Sequence, residues 1–260
     1  MKILFRILAS LAIAGLTVPA VAEEFSMPAG ERPWNIGAGA VYRVKAYDGF
    51  KDSKKTTPIP VILYEGERFF FRGSNFGWKF INTNPWEVAV LAEWWADGYE
   101  DGDASILRGM SDRDPSLAVG GHVRWQPQRF GLELTATTDA MSNSDGYQVR
   151  AMALFTNKAG PWFYSVNGGI VYVDSDFNDY YYGVRSREVD LTRGRTFYSA
   201  DDETGIRVGG LLGYNRQGSK WTFLGGARYD YLGDEVDNSS ITENDYQYAL
   251  FGGFTYAFGM

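Results

Sequence analysis

The residues with chemistry to offer are charged side chains set at alternate positions in stretches that otherwise read as strands. Arg43, Glu87, Glu93, His122, Arg124, Glu133, Asp139, Arg150, Arg207, Arg228 and Asp230 share the parity of small or polar neighbours, opposite runs of Val, Leu, Phe, Tyr and Trp. Successive side chains of a strand point to opposite faces, so the charges gather on one face and the apolar residues on the other. Charges of both signs on an enclosed face either pair across strands into a polar network or line a wet pore that selects ions. The pattern leaves both open. His122 is the only histidine and lies two residues from Arg124, with Glu133 and Asp139 the nearest carboxylates by sequence on that face. A Ser–His–acid site needs a serine opposite it, which the pattern does not supply. A His-based zinc site lacks its other usual ligands. A hydrogen-bonding interior histidine is expected, with no catalytic residue, metal or cofactor.

The acidic stretch Asp97-Gly-Tyr-Glu-Asp-Gly-Asp103, continuing to Asp112 and Asp114, offers oxygen ligands. It fails the spacing of an EF-hand because Ile106 stands where the turn glycine belongs, and it reads as a solvated loop. There is no cysteine, so neither disulfides nor thiolate metal sites are available. The formal charge of −7 becomes more negative once Lys2 and Arg6 of a leader are removed, which argues against nucleic-acid binding.

The elements that must position these charges are strands. Twelve candidates run over 34–44, 57–65, 67–73, 76–83, 86–96, 116–126, 129–140, 146–156, 161–174, 203–215, 219–232 and 244–258. Trp86, Val88, Val90, Ala92 and Trp94 oppose Glu87, Ala89, Leu91 and Glu93. The last stretch sets Tyr246, Tyr248, Leu250, Gly252, Phe254, Tyr256 and Phe258 against small or polar residues, with Phe251 the one bulky exception. Short connections near 65–67, 83–85, 126–128, 157–160 and 216–218 alternate with long ones at 45–56, 97–115, 175–202 and 233–243. Loops sorted by end, with aromatic-ended apolar faces, predict an all-β fold: an antiparallel transmembrane β-barrel of about twelve strands, ten being the alternative. Short turns then face the periplasm and long loops the exterior. A total of 31 glycines and 16% aromatic residues fit curved strands with interfacial girdles.

Residues 1–22 carry Lys2 and Arg6, an apolar run from Ile7 to Leu16, and Ala20 and Ala22 at the small-residue positions before Glu23. This predicts a secretory signal peptide cleaved after Ala22, a periplasmic segment 23–33, and a barrel over 34–258 in the outer membrane. Among the long loops, 175–202 is exceptional. Phe177, Tyr180, Tyr181 and Tyr182 are too aromatic for free solvent, and Arg185, Arg187, Arg193 and Arg195 follow. The segment is expected to fold into or over the barrel mouth as a plug, its arginines pairing with Glu87, Glu93, Glu133 and Asp139 on the wall.

Two resemblances extend this reading. Gly252-Gly253-Phe254-Thr255-Tyr256-Ala257-Phe258 resembles the C-terminal signal read by the barrel-assembly machinery, through Gly253, Phe254, Tyr256 and Phe258, although Gly259 and Met260 follow the final aromatic. Glu67-Arg-Phe-Phe-Phe71, Asp179-Tyr-Tyr-Tyr-Gly-Val184 and Arg228-Tyr-Asp-Tyr-Leu-Gly-Asp-Glu-Val-Asp-Asn-Ser-Ser-Ile241 resemble the MipA/OmpV family (MltA-interacting protein), with Ser240 where proline is expected. The likeness extends over nearly the whole chain after the leader. It implies an outer-membrane barrel in contact with lipid and lipopolysaccharide. It also implies a scaffold joining a lytic transglycosylase to a murein-polymerising penicillin-binding protein; other members are described as antigens, adhesins or porin-like proteins. No catalytic residue carries over. A non-enzymatic monomer follows as the expectation, with a small-solute channel or surface adhesin as the alternative.

Overall fold

A computed structural model describes residues 34–51 and 55–258. The expected leader, with Ala20 and Ala22, and the segment 23–33 lie outside the described residues. Twelve strands form the wall: β1 (Trp34–Val44), β2 (Thr56–Glu65), β3 (Phe69–Arg72), β4 (Asn75–Thr83), β5 (Trp86–Trp95), β6 (Ser116–Trp125), β7 (Phe130–Asp139), β8 (Tyr147–Ala159), β9 (Trp162–Val173), β10 (Glu203–Tyr214), β11 (Trp221–Tyr231) and β12 (Tyr246–Phe258). Each pairs antiparallel with the next, and β12 returns to β1 to close the barrel. Among the described residues no helix is long and apolar enough to cross a membrane.

Closure rests on the seam between β1 and β12, whose register runs from Trp34↔Phe258 to Val44↔Tyr248. The strands approach so closely there that a Cβ at Gly37 would collide with the Phe254 carbonyl, which is why the seam needs glycine. On β12, Leu250, Phe254 and Phe258 are exposed outward, while Ala249, Phe251 and Thr255 are buried inside. The bulky exception Phe251 therefore points inward and packs on an apolar interior cluster with Val41, Ile59, Val61, Leu63, Leu211 and Leu224.

Outward aromatics meet in pairs at both ends of the wall. Trp34–Tyr64 at 4.5 Å, Phe130–Phe155 at 4.8 Å and Trp162–Tyr214 at 4.8 Å mark the end with short turns. Tyr42–Tyr248 at 6.3 Å, Tyr147–Tyr172 at 5.9 Å and Tyr229–Tyr246 at 5.6 Å mark the other. These are the two interfacial girdles of a membrane barrel.

One connection departs from the expected sorting of loops. β3 has only four residues, and Arg72 pairs with Asn75 across a two-residue turn at Gly73-Ser74. Gly73 has φ 68°, the left-handed geometry such tight hairpins require. The external end thus carries one connection as short as the periplasmic turns, and this wall segment is truncated.

Val90 is 48% exposed on the outward face of β5, opposite Gly121 in mid-strand. Replacing it with Arg is expected to cost about 2–4 kcal/mol, with Val90→Leu close to neutral. Urea titrations of the refolded protein in lipid bilayers measure this, and equal stability of the two variants would refute the lipid-facing assignment.

Candidate functional site

The interior is divided. The apolar cluster just described coats the β1–β2 and β10–β12 side, and the opposite wall is built of ion pairs. Arg72, almost fully buried, holds Glu65 (2.9 and 3.0 Å) and Glu87 (3.0 and 3.0 Å) at once. Lys79 bridges the same two carboxylates. His122 Nε2 lies 2.9 Å from Glu87 Oε1, and the Phe70 ring sits 4.2 Å from the Arg72 guanidinium. Arg124 donates to Glu133 at 2.6 Å. Higher up, Glu93 is wholly buried and accepts from Arg150 (2.8 and 2.6 Å), Trp95 Nε1 (2.7 Å) and Thr137 Oγ1 (2.7 Å). On the far wall Asp230 accepts from Arg207 at 2.6 Å, and Arg228 Nε lies 2.9 Å away without hydrogen-bond alignment. Arg43 Nη1 donates to the Ala96 carbonyl.

The free space between these ion pairs is small, and a larger cavity of about 180 Å³ lies beside Arg43 and Lys45 near Thr57 and Trp94. A cavity of about 10 Å³ lies among Arg72, His122, Arg124 and Glu133, and one of about 40 Å³ among Arg43, Lys45, Arg150, Arg207 and Arg228. Such volumes hold a few waters.

Above the wall the external loops form a second core. A helix at Ser175–Tyr182 is N-capped by Asp174, whose side chain accepts from Phe177 N–H, the expected use of Asp at such a position. Phe177, Tyr181 and Tyr182 are buried with Tyr47, Trp95, Tyr99, Leu107, Val236 and Ile241. Tyr181 donates to the Asp114 carbonyl and Tyr47 to the Tyr181 carbonyl, both at 3.2 Å. Arg113 ties the loops together: it donates to both Glu188 oxygens (3.2 and 2.8 Å), to the Tyr180 carbonyl at 2.6 Å and to the Ser111 carbonyl at 2.7 Å. Burial alone would push the Glu188 carboxyl up, but the Arg113 bonds and charge outweigh it and hold the pKa at about 2. Lys45, at the top of β1, donates to the Gly98 carbonyl. Burial, reinforced by Arg43, lowers its ammonium pKa to about 8.

Two expectations are corrected. Asp139 pairs with no wall cation. It ends β7 and accepts from the N–H groups of Met141 (2.8 Å), Asn143 (2.8 Å) and Ser144 (2.7 Å) and from the Ser116 hydroxyl, so it shapes the loop at 140–146. The loop arginines also leave the wall carboxylates alone. Arg193 pairs with Asp190 at 3.1 Å, Arg187 reaches the Ser111 hydroxyl, and Arg195 donates to the carbonyls of Ile106, Arg108 and Glu188. Arg185 gives its backbone N–H to Glu188. The physical reason is that Glu87, Glu93 and Glu133 already hold wall cations, and a further buried guanidinium would bring uncompensated charge into the lumen. His122 binds Glu87 on the neighbouring strand β5, 35 residues earlier in the chain, rather than Glu133 or Asp139. The acidic stretch uses Asp103 and Asp112 to cap the N–H groups of Glu100 and Asp101. Among the described residues no cluster of carboxylates and imidazoles suits a metal ion.

Sequence reasoning missed Glu65, Arg72, Lys79, Lys45, Arg113 and Glu188. Arg72 lies in a strand too short to show alternation, and a bulge between Lys79 and Ile81 breaks the parity that would have placed Lys79 inside. Arg113 and Glu188 lie in two different loops, 75 residues apart in the chain, where no periodicity operates.

An antiparallel barrel with an apolar outer surface, two aromatic girdles and an enclosed charged interior is an outer-membrane β-barrel. Comparison with known families makes this specific: the family described as MltA-interacting protein MipA matches residues 36–258, and the chain belongs to it. Relatives include the MltA-interacting protein of Escherichia coli K12, 28% identical and covering 88% of this chain and 91% of that one. The outer membrane protein YiaT of the same organism is 26% identical over 86% and 90%, and OmpV of Vibrio cholerae 23% over 75% and 76%. Like these relatives, the chain is an outer-membrane protein. Among solved structures, an outer membrane channel from Pseudomonas putida F1 aligns over 90% of this chain and 100% of its own, with TM-score 0.43 and 10% identity.

Two outcomes follow from these contacts. Arg150→Met strands Glu93 in the lumen and is expected to cost about 3–5 kcal/mol, whereas Arg150→Met with Glu93→Leu recovers most of the loss; denaturant titrations of the single and double variants decide it. Because the Glu188 pKa is depressed to about 2, its contribution to loop docking is complete above the ordinary carboxylate value of about 4.3. That contribution is lost as pH falls through about 2. Hydrogen exchange in 174–202 should therefore rise between about pH 4 and pH 2, and Glu188→Gln should give the raised exchange already at neutral pH.

Proposed function

We propose that the chain is a non-enzymatic, monomeric barrel that serves as a binding or scaffolding protein for envelope and murein-synthesis machinery, with a lumen that stays closed to solutes at rest. The observation that carries this reading is the double barrier: a wall of ion pairs with cavities of about 10 and 40 Å³, under a loop core centred on Tyr181. A barrel narrowed by wall ion pairs and again by the loop core suits a surface function better than conduction. The partner class comes from the relative named MltA-interacting protein, and points to a lytic transglycosylase and, through the family's scaffold role, a penicillin-binding protein. The barrel-assembly machinery would meet the chain only during insertion.

A periplasmic partner must be met by short turns. Lys158, Arg216 and Lys220 are exposed there, and Lys220 stacks over the Tyr256 ring at 5.7 Å. A specific interface takes about 800 Å² per partner, so several turns together, joined by the segment 23–33, would form it.

A channel is the second reading, favoured by one observation: Arg43, Lys45, Arg150, Arg207 and Arg228 converge below the mouth. On the scaffold reading, the intact protein conducts weakly or not at all in a planar bilayer, and deleting 181–196 opens a measurable, anion-preferring pore. The purified barrel should capture a lytic transglycosylase from a periplasmic extract, and charge reversal at Lys158, Arg216 and Lys220 should abolish the capture. Large steady conductance from the intact protein, with no capture, would make the channel primary.

A further inference from the structure

At its periplasmic edge the lipid-facing wall carries one turn with two cations and no acid. Asn215 to Lys220 joins β10 to β11, and the turn is pinned from several sides. Ser219 N–H donates to the Arg216 carbonyl at 2.8 Å. Gly218 takes φ 79°, the left-handed geometry that glycine supplies without strain. The Asn215 amide donates to the Trp221 carbonyl at 2.9 Å and to the Thr222 hydroxyl at 2.8 Å. Trp221 N–H donates to the Ser219 hydroxyl at 3.0 Å, and the Lys220 carbonyl accepts from Ala257 N–H of β12 at 2.8 Å. The backbone that carries Arg216 and Lys220 is therefore fixed, while both side chains are exposed.

The Lys220 side chain has a definite direction. By parity it belongs with Thr222, which is buried inside, and not with the outward Trp221. Its ammonium nevertheless stands 5.7 Å from the centre of the Tyr256 ring. That ring packs on Trp221 at 5.0 Å and on Phe258 at 4.9 Å, both on the outer face. The charge is thus drawn round the rim to the lipid side, over the aromatic girdle. Arg216 follows Tyr214 by two residues, and Tyr214 packs on Trp162 of the same girdle at 4.8 Å. Girdle rings sit at headgroup depth. A cation among them lays its stem on apolar surface and holds its charge level with lipid phosphates.

Among the described residues neither Arg216 nor Lys220 forms an ion pair. Of the described periplasmic turns, only that between β2 and β3 carries acids, and it lies beyond β12 and β1. Glu65 there is engaged by Arg72 and Lys79. The adjoining turn between β8 and β9 adds a further cation, Lys158. The charge that complements Arg216 and Lys220 must come from another molecule, at headgroup depth.

A protein docking from below would find no apolar anchor on this turn, whose exposed residues are Arg216, Gln217, Gly218 and Lys220. The apolar surface lies on the membrane side instead, where the exposed Phe223 and Phe254 stand opposite each other on β11 and β12. One molecule that sets a phosphate at the cations and lays its acyl chains on these rings uses both features at once. We infer that the β10–β11 turn is a headgroup site for an anionic phospholipid of the inner leaflet, phosphatidylglycerol or cardiolipin. The site shares two cations with the proposed scaffold surface but needs no protein partner, so either can fail alone.

The test is native mass spectrometry of the full mature barrel in detergent, which resolves each bound lipid. Phosphatidylglycerol, cardiolipin, phosphatidylethanolamine and phosphatidylcholine with identical acyl chains are titrated in turn. The first molecule of either anionic lipid should bind roughly 25-fold tighter than phosphatidylcholine, about fivefold for each cation. Arg216→Gln and Lys220→Gln should each weaken that first binding about fivefold and leave phosphatidylcholine unaffected, while Lys220→Arg should keep the preference. Lys158→Gln, at the rim of the inward face, should change nothing. Equal binding of the four lipids, or a preference unmoved in the Arg216→Gln, Lys220→Gln double variant, would overturn the assignment. So would an equal loss in Lys158→Gln, which would make the preference a diffuse effect of rim charge. Co-sedimentation with purified murein that depends on Arg216 and Lys220, with no lipid preference, would give the turn to murein instead.

Discussion

Hydrocarbon offers no hydrogen bond, so a chain that crosses it with strands must satisfy its backbone groups on itself, and only closure does so around a whole sheet. The rest of this structure depends on that constraint. The closing partner of β1 is β12, so the sheet loses its two free edges only when the first and last of the twelve strands have paired. Closure at twelve strands also encloses more space than side chains fill in an eight-stranded barrel. The interior answers with two fillings, an apolar cluster around Phe251 and Leu211 and ion pairs, most of them on the opposite side, with Arg207, Arg228 and Asp230 on the cluster's own strands β10 and β11.

The ion-paired side is costly to build. Each buried charge loses several kcal/mol of hydration, and pairing returns that loss only with good geometry and full hydrogen bonding. Glu93, with four donors, and Arg72, with two carboxylates, meet that condition. The larger consequence is for register. A slip of one residue moves a strand's whole inward set to the other face, which would put Glu93 or Arg150 into lipid. Competing registers of β5 and β8 are therefore penalised far more than the net stabilisation of the native pairs suggests.

Most of the wall was legible in the sequence because lipid outside and charge inside enforce a strict period of two over long strands. Glu87, Glu93, Arg124, Glu133, Arg150, Arg207 and Asp230 share the enclosed face for that reason. Legibility failed where the period breaks. Arg72 lies in a four-residue strand, and Lys79 sits beside a bulge. It failed again in the loops, where Arg113 and Glu188 are joined by tertiary packing alone. Asp139 kept the right parity and has a different role, because at a strand end the nearest unsatisfied groups are the N–H donors of the following loop. The aromatic content of 177–182 signalled burial, but not whether tyrosines or arginines would make the contact.

The mouth and the wall are held by different forces. Loop arginines bond to carbonyls and to Glu188 and Asp190, which are loop residues themselves, and the loop core reaches the wall chiefly through Trp95, Ala118 and Val173. Among the described residues, the wall pairs of Arg72, Lys79, Arg124 and Arg150 are made with wall carboxylates. Displacing the loops would cost apolar contacts and the Arg113 bonds, yet leave the Arg72–Glu65, Arg72–Glu87, Arg124–Glu133 and Arg150–Glu93 pairs in place. The lumen exposed by such a motion has Arg43, Lys45, Arg207 and Arg228 at its top, with Asp97 and Asp230 as counter-charges nearby. A solute arriving there meets a positive potential in a low-dielectric enclosure, where field lines are focused rather than screened. Arg43, Arg207 and Arg228 stand on strands β1, β10 and β11, so their contribution to that field is the same whether the loops stand open or shut.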